Sequence, residues 1–430
     1  MNIFSTASIV CLSAGVALSS ATQLRIPGAP YGVGEFLLVS GSLGLILSLL
    51  TGARLERSRL LLAFGGFWLI ALATLTAGAL SISPDTVLND FQQTAFLHDA
   101  RAFVFVAVVL FALLAPAGTE SRIRQVAVLM LAFSILPLSA LWLIARHATT
   151  IGPLNLWYGP RFLGWTQNPN QLALVVITTP FIAFYLCTRA RRLTSRLLLA
   201  GAGLAAIVLG VASQSDALTL SWVVGGLTLM LVLWGKLAVR GRRAGIAGAL
   251  AYAVAPASLL LVCLWAGPTI ERRVVRSFEK TADEGHQGST RVELWKRGFR
   301  SFLSAPVFGL GPGPHAGDER VRGEEAHNTM IDWAASTGIV GLSAYLALLA
   351  WVGIVTWRSG NELLISGFIA LLCFSSFHYV LRHPIYWQQL LAIAAFALPP
   401  APVAVSSRAA LPTRRPRFTA SASGARSPAG

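Results

Sequence analysis

The sequence predicts an all-α, polytopic integral membrane protein. Of its 430 residues, 55% are hydrophobic and only 12% are charged, and the mean hydropathy is +0.65. Soluble globular domains carry roughly 25% charged residues, so this composition excludes a soluble globule. The apolar residues also occur in runs long enough, or nearly so, to cross a hydrocarbon core of about 30 Å. Within lipid such a run forms a helix, because a helix pairs the backbone N–H and C=O groups with one another.

We predict about twelve membrane-spanning helices. They fall at 3–21, 35–51, 60–82, 101–117, 125–145, 171–188, 197–212, 217–235, 245–266, 338–357, 362–380 and 387–405. The first run has no Lys or Arg ahead of it and only a weak cleavage site behind it, so we expect a span rather than a signal peptide. Four regions follow: helices 1–9 in 1–266, a long periplasmic loop in 267–337, helices 10–12 in 338–405, and a disordered basic cytoplasmic tail in 406–430.

The formal net charge of +16 reflects basic residues in short loops between the apolar runs. Twelve alternating spans put most of these loops on one side, which the positive-inside rule makes the cytoplasm. Both termini are then cytoplasmic, and all seven histidines fall on the outer side or at the outer ends of spans. This distribution indicates contact with membrane lipids and argues against a nucleic-acid partner.

The cysteines and carboxylates predict neither a cofactor nor a metal site. The four cysteines, Cys11, Cys187, Cys263 and Cys373, lie inside or at the edge of predicted spans, without disulfide or zinc spacing. The outer loops hold no cluster of carboxylates suited to a divalent cation.

Two short outer segments carry polar residues next to spans. In GWTQNPNQLAL, Asn168 suits a helix cap and Pro169 a first helical turn, so a helix start explains the motif. Alternatively, Gln167, Asn168 and Asn170, with Arg161, line a polar cavity at the outer mouth. Asp216 lies in the short turn Ser213-Gln-Ser-Asp216 at the membrane boundary, where an ionisable group is a functional candidate and also an ordinary turn or cap residue.

The stretch RVELWKRGFRSF admits two interpretations. Arg291, Trp295 and Phe299 recur at helical spacing, as in an amphipathic helix at the interface with Trp and Phe toward lipid. Alternatively Arg291, with Arg297 or Arg300, binds a lipid-linked diphosphate, because a guanidinium donates paired hydrogen bonds and stays charged.

The turn Gly309-Leu-Gly-Pro-Gly313 lacks the GK[ST] ending of a phosphate-binding P-loop and follows no predicted strand. Tight turning is sufficient to explain it. Close approach of the backbone at Gly311 and Gly313 to a sugar or phosphate is the alternative.

His327 is the strongest single candidate. It precedes Asn328 and Thr329, which are capping-type residues, and the run that re-enters the membrane. The positive end of a helix dipole favours neutral imidazole, the state that a general base requires. Glu324 and Glu325 could orient it, and a solvated loop histidine is the alternative interpretation.

These elements in this order resemble the O-antigen ligase and polysaccharide polymerase family. The resemblance rests on the G-x-x-x-N-P-N element at Gly164–Asn170, the Arg-x-x-x-Trp helix at Arg291, the Gly-x-Gly-x-Gly turn, and His-Asn opening a helix that continues to Gly338 and Gly341. It is clearest over about 150–355.

The resemblance implies metal-independent, inverting glycosyl transfer on the periplasmic side. A glycan would move from an undecaprenyl-diphosphate carrier to an acceptor hydroxyl, which belongs to lipid A core in ligases and to another lipid-linked repeat unit in polymerases. His327 would act on that hydroxyl, Arg291 would bind the diphosphate, and Asn328 would contact substrate. One dominant outer loop favours ligase over polymerase, and a non-catalytic transporter or scaffold is the alternative class.

One departure from the family concerns the turn Ser213-Gln-Ser-Asp216, where members commonly carry a basic residue. An acid at the position of the second diphosphate-binding residue leaves three possibilities: Arg161, Arg322 or Arg382 substitutes for it, the substrate differs, or the protein has drifted from catalysis.

Overall fold

The computed structural model describes residues 3–26, 31–55, 57–81, 90–238, 288–317 and 324–399, and it confirms the all-α architecture. Its helices are α1 Ile3–Leu18, α2 Val33–Leu50, α3 Gly66–Ser81 preceded by a π-turn at Leu61–Gly65, α4 Asp90–Leu114, α5 Thr119–Ile144, α6 Pro169–Val176, α7 Thr179–Arg189, α8 Leu193–Ser213, α9 Asp216–Ala238, α10 Gly288–Ser304, α11 Thr329–Arg358, α12 Glu362–Ser375 and α13 Pro384–Ala397.

Eight helical segments in the described part of the chain are long and apolar enough to cross a membrane, and α1 and α12 contain shorter apolar helices. The total of twelve spans stays a prediction. The span at 245–266, the tail at 406–430, Cys263, His286 and Arg322 all lie outside the described residues.

The sixth predicted span is two helices, α6 and α7, because Pro180 lacks an amide and interrupts the helical hydrogen bonds. The carbonyls left at the break bind side chains of other helices. Trp222 Nε1 of α9 donates to Ile177 O at 2.9 Å, and Gln389 Nε2 of α13 donates to Leu174 O at 2.7 Å. Inside a membrane such partners are required, since water is absent.

A second break interrupts α11 at Gly338, whose φ of 64° and ψ of −165° are not helical. Residues 306–311 lie against the break and form hydrogen bonds with backbone groups on both sides of it. Leu310 N donates to Ala335 O at 2.9 Å, and Ile339 N donates to Pro306 O at 2.8 Å. The glycine turn at 309–311 therefore serves close packing, as the tight-turn interpretation expected.

Below these breaks, α13 forms the centre of an aromatic core. The Trp387 ring lies 4.9 Å from Trp68 and 5.2 Å from Phe67, and Tyr386 Oη lies 2.6 Å from Tyr345 Oη. Aromatic pairs at these separations add to the energy of apolar burial. The core joins α3, α11 and α13, and so supports the residues that α11 and α13 present above it.

Between α5 and α6 the chain forms two short antiparallel hairpins. Strands β1 Thr150–Ile151 and β2 Leu154–Asn155 pair with each other, as do β3 Trp157–Tyr158 and β4 Arg161–Phe162. This structured loop ends directly at the cap of α6.

Candidate active site

The site is built around the starts of two helices, each capped by an asparagine. Asn168 Oδ1 accepts from Asn170 N at 2.9 Å at the start of α6, where Pro169 occupies the first turn as predicted. Asn328 Oδ1 accepts from Met330 N at 3.0 Å and Ile331 N at 3.2 Å at the start of α11. Both helices therefore present their positive ends to the same region.

His327 is held in an unusual backbone conformation by the helix that follows it. Its φ is +53°, in the left-handed region that residues with a Cβ seldom adopt. The buried Asp332 carboxylate accepts from Ala326 N at 2.7 Å and from Asn328 N at 3.1 Å, on the two sides of His327. These two bonds direct the half-exposed imidazole outward.

The connector between α12 and α13 is tied to the same helix start. Thr329 Oγ1 donates to His378 O at 2.6 Å, and Asn328 Nδ2 donates to Ser376 O at 3.0 Å. His378 and Arg382 are thereby brought beside His327, although about fifty residues of chain separate them.

Arg291 reaches the site from α10, the amphipathic helix that the sequence predicted. Leu294 and Gly298 of α10 face Ile331 and neighbouring alanines, and Trp295 packs in the same cluster. Trp295 is partly buried with its Nε1 enclosed by the protein, whereas Phe299 is exposed, so the interface alternative in which both rings face lipid stays a prediction.

An open cavity of about 410 Å³ lies between these elements. Its lining joins residues from four stretches of the chain: Asn168, Asn170, Gln171, Leu174, Arg291, Glu325, His327, Phe374, His378, Tyr379, Val380, Arg382 and His383. Five of the residues predicted for the site, namely His327, Arg291, Asn168, Asn170 and Arg382, thus meet in one space.

The two lining arginines differ in their partners. Arg382 Nη1 donates to Asp99 at 2.6 Å, and Nη2 forms a short hydrogen bond with Glu325. Burial alone would lower the pKa of Arg382, but the two carboxylates raise it well above its ordinary value. Arg291, in contrast, is exposed and has no carboxylate partner among the described residues. It is the lining arginine that is available to an anion.

Two histidines in the lining were not singled out from the sequence. Burial and then nearby cations, Arg291 foremost, lower the pKa of His378 to about 3, and burial with Arg382 lowers that of His383 to about 4. Both rings are therefore neutral near pH 7. The clustering of all histidines on the outer side was the signal that could have found them.

Arg161 lies next to the cavity, at the turn before α9. Its Nε donates to Ser213 O at 3.2 Å, and its Nη2 lies 3.5 Å from Asn170 Oδ1, which also accepts from Ser215 Oγ at 2.8 Å. Burial lowers the pKa of Arg161, and the charge of Asp216 opposes that shift. Arg161 of β4 thus contacts the turn at which the family resemblance led us to expect a basic residue.

The other predicted residues do not line the cavity as described. Arg297 and Arg300 lie on faces of α10 turned away from Arg291, since six and nine residues at about 100° each place them far around the helix. Gly311 packs against the backbone at Ala79. Gly313 lies outside the cavity lining, and Asn328 is used in capping.

Fold and site together define a polytopic α-helical membrane protein with a polar, histidine-rich and arginine-rich cavity at one end of its helices. Residues 201–346 match the family model described as O-Antigen ligase. The match covers α9, α10 and the start of α11, so it includes Arg291 and His327. This segment of the chain is therefore similar to O-antigen ligases. No curated protein matches the chain.

Proposed function

We propose that the protein is a metal-independent, inverting glycosyltransferase of the O-antigen ligase type. It moves a glycan from an undecaprenyl-diphosphate carrier to an acceptor hydroxyl on lipid A core, on the periplasmic side of the bacterial inner membrane. The observation that carries the proposal is the meeting in one cavity of a half-exposed imidazole, His327, and a guanidinium, Arg291, that has no carboxylate partner in the described part of the chain.

In the proposed step, His327 removes the proton of the acceptor hydroxyl as its oxygen attacks the anomeric carbon. The bond from that carbon to the diphosphate oxygen breaks on the opposite face, so the configuration inverts and undecaprenyl diphosphate leaves. Glu325 Oε2 lies 4.0 Å from His327 Nδ1, at a distance that favours the imidazolium formed.

Charge develops on the leaving diphosphate, and two cations are suited to stabilise it. Arg291 lies within the cavity without a carboxylate partner among the described residues. Arg161 replaces the basic residue expected at the turn before α9, whereas Arg382 is occupied by two carboxylates. The positive ends of α6 and α11 face the same space and add to this field.

The test is transfer by purified protein from lipid-diphosphate donor to acceptor, with wild type compared to His327→Ala. The variant should lose transfer by roughly 100-fold or more, the range of a general base, while still binding donor. Wild-type transfer by His327→Ala would exclude this residue as the base. Elongation of lipid-linked units without transfer to lipid A core would identify a polymerase instead.

Arg291 is tested by donor binding. Arg291→Ala should weaken binding of undecaprenyl diphosphate by more than about tenfold and Arg291→Lys by less, because lysine keeps the charge but loses the paired donors. Equal and negligible effects would end the assignment.

The membrane orientation is tested with a reporter that is active only in the periplasm. A fusion after residue 285 should be active and a fusion after residue 241 inactive; the reverse pattern would invert the topology.

A further inference from the structure

A second open cavity, of about 370 Å³, lies in the hairpin loop between α5 and α6. Its lining combines two aromatic rings, Trp157 and Tyr158, with the amide side chains of Gln23, Asn155 and Gln167. The glycosyl-transfer proposal assigns no role to this cavity.

The walls of this cavity are fixed by hydrogen bonds. Gln23 Nε2 donates to Asn155 O at 2.8 Å and to Thr166 O at 2.6 Å, and its Oε1 accepts from Asn155 N at 2.7 Å. Trp157 Nε1 donates to Ala145 O at 3.0 Å, and its ring packs edge to face with Phe162 at 5.6 Å. The cavity is therefore formed before any ligand arrives, which lowers the entropic cost of binding.

The groups that remain available suit an uncharged sugar. The Tyr158 side chain is 66% exposed, and within the described structure its hydroxyl and the side-chain amides of Asn155 and Gln167 form no hydrogen bonds. An aromatic face packs against the C–H face of a pyranose, and amides donate to and accept from neighbouring hydroxyls. Among the described residues no lysine, arginine or carboxylate lines the cavity, so the described walls hold no charged partner for a uronic acid or a phosphate.

The position of the cavity connects it to the candidate active site. Gln167 is followed in sequence by Asn168, which lines the larger cavity. Across the second hairpin, Tyr158 pairs in register with Arg161, which reaches Asn170 and the turn before α9. A chain of sugars that leaves the larger cavity along this hairpin would meet the Tyr158 ring.

We propose that this cavity is a glycan subsite that binds a neutral, non-reacting sugar of one substrate through Tyr158, Asn155 and Gln167. The inference rests on the proposed glycosyl transfer and names the substrate chemistry at a separate place. It does not require His327 or Arg291 to bind the sugar.

The test is binding of lipid-free oligosaccharide to the full-length protein by saturation-transfer NMR and calorimetry. The probe is the glycan of the host's own lipid-linked pool, released by mild acid and fractionated into neutral and acidic pools. Tyr158→Ala should weaken binding of the neutral fraction about tenfold, and Tyr158→Phe less than about threefold, because the ring is retained. Phe299→Ala, which removes another exposed ring, should bind as wild type does.

The active-site variant His327→Ala should bind the neutral fraction with wild-type affinity, so that loss of transfer and loss of this subsite are separable. A rise of KM for the donor alone, or for the acceptor alone, in Tyr158→Ala assigns the sugar to that substrate. Absence of saturable binding, wild-type binding by Tyr158→Ala, or stronger binding of the acidic fraction would overturn the proposal.

Discussion

Asp332 offers a direct test of how the fold holds its candidate base. The carboxylate accepts from the amides of Ala326 and Asn328, at 2.7 Å and 3.1 Å, and thereby holds His327 at a φ of +53°. Asp332→Asn keeps the size of the side chain but leaves one acceptor oxygen for two amides. We expect the variant to fold and to displace His327.

The magnitude follows from these two bonds. A hydrogen bond to a charged group contributes about 1.5–3 kcal/mol and a neutral one about 1 kcal/mol, so exchanging two charged bonds for one neutral bond removes roughly 2–5 kcal/mol of support from the segment. The left-handed conformation itself costs about 1–2 kcal/mol, so the segment is expected to relax out of it. A loss of about 2 kcal/mol in positioning corresponds to roughly a 30-fold lower kcat.

The assay is steady-state transfer with purified protein, together with the thermal unfolding midpoint. The kcat of Asp332→Asn should fall while the KM for lipid donor stays within about twofold, because Arg291 is held separately by α10. Glu293→Gln, an exposed carboxylate on α10, is the matched control and should leave kcat unchanged. A wild-type kcat, or equal losses of kcat and donor binding, would refute the positioning role.

Three further outcomes are expected. Gly338→Ala should abolish the monodisperse peak in size-exclusion chromatography, because a Cβ at this φ of +64° would clash with the backbone at Val307. The control Gly226→Ala should keep the peak, because a Cβ at Gly226 would meet open space. Arg382→Met should lower the free energy of unfolding by about 3–5 kcal/mol, because it leaves the buried Asp99 and the partly buried Glu325 without their cation. Arg382→Lys should lower it by less, and melting curves measure both. Burial lowers the pKa of His378 to about 3 in the folded protein, while a histidine in the unfolded chain has a pKa near ~6.5. Between these two pH values the unfolded chain binds more protons, so the melting temperature should fall as the pH decreases from about 6.5 toward about 3. The decrease should be less steep in His378→Asn.

The sequence was sufficient for the features that depend on local chemistry. Composition and run length predicted the helical membrane fold, and Asn168 and Asn328 were predicted as caps from the residue types that follow them. The meeting of Arg291 and His327 was suggested by family resemblance rather than by spacing, because the segments between them carry no periodic signal that specifies a distance.

Features that depend on side-chain pairing between distant segments escaped the sequence. Arg382 was considered a diphosphate-binding residue, but its carboxylate partners come from α4 and from the segment before α11, and no pattern links those positions in sequence. The partial burial of Trp295 was not predicted either, because amphipathicity shows which helix face is apolar without showing how much of it packs against protein. The neutral histidines of the α12–α13 connector depend on burial, which only the packed structure reveals.

The breaks between α6 and α7 and within α11 affect how the protein responds to bilayers of different thickness. Each break interrupts a long apolar helix two to three turns after its asparagine cap, and hydrogen bonds from another segment of the chain pair with the backbone groups at the break. Hydrophobic mismatch is accommodated largely by helix tilt. We therefore expect tilt of the lower helix portions to be taken up at these breaks, so that the spacing of the polar groups above them changes little with the surrounding lipid.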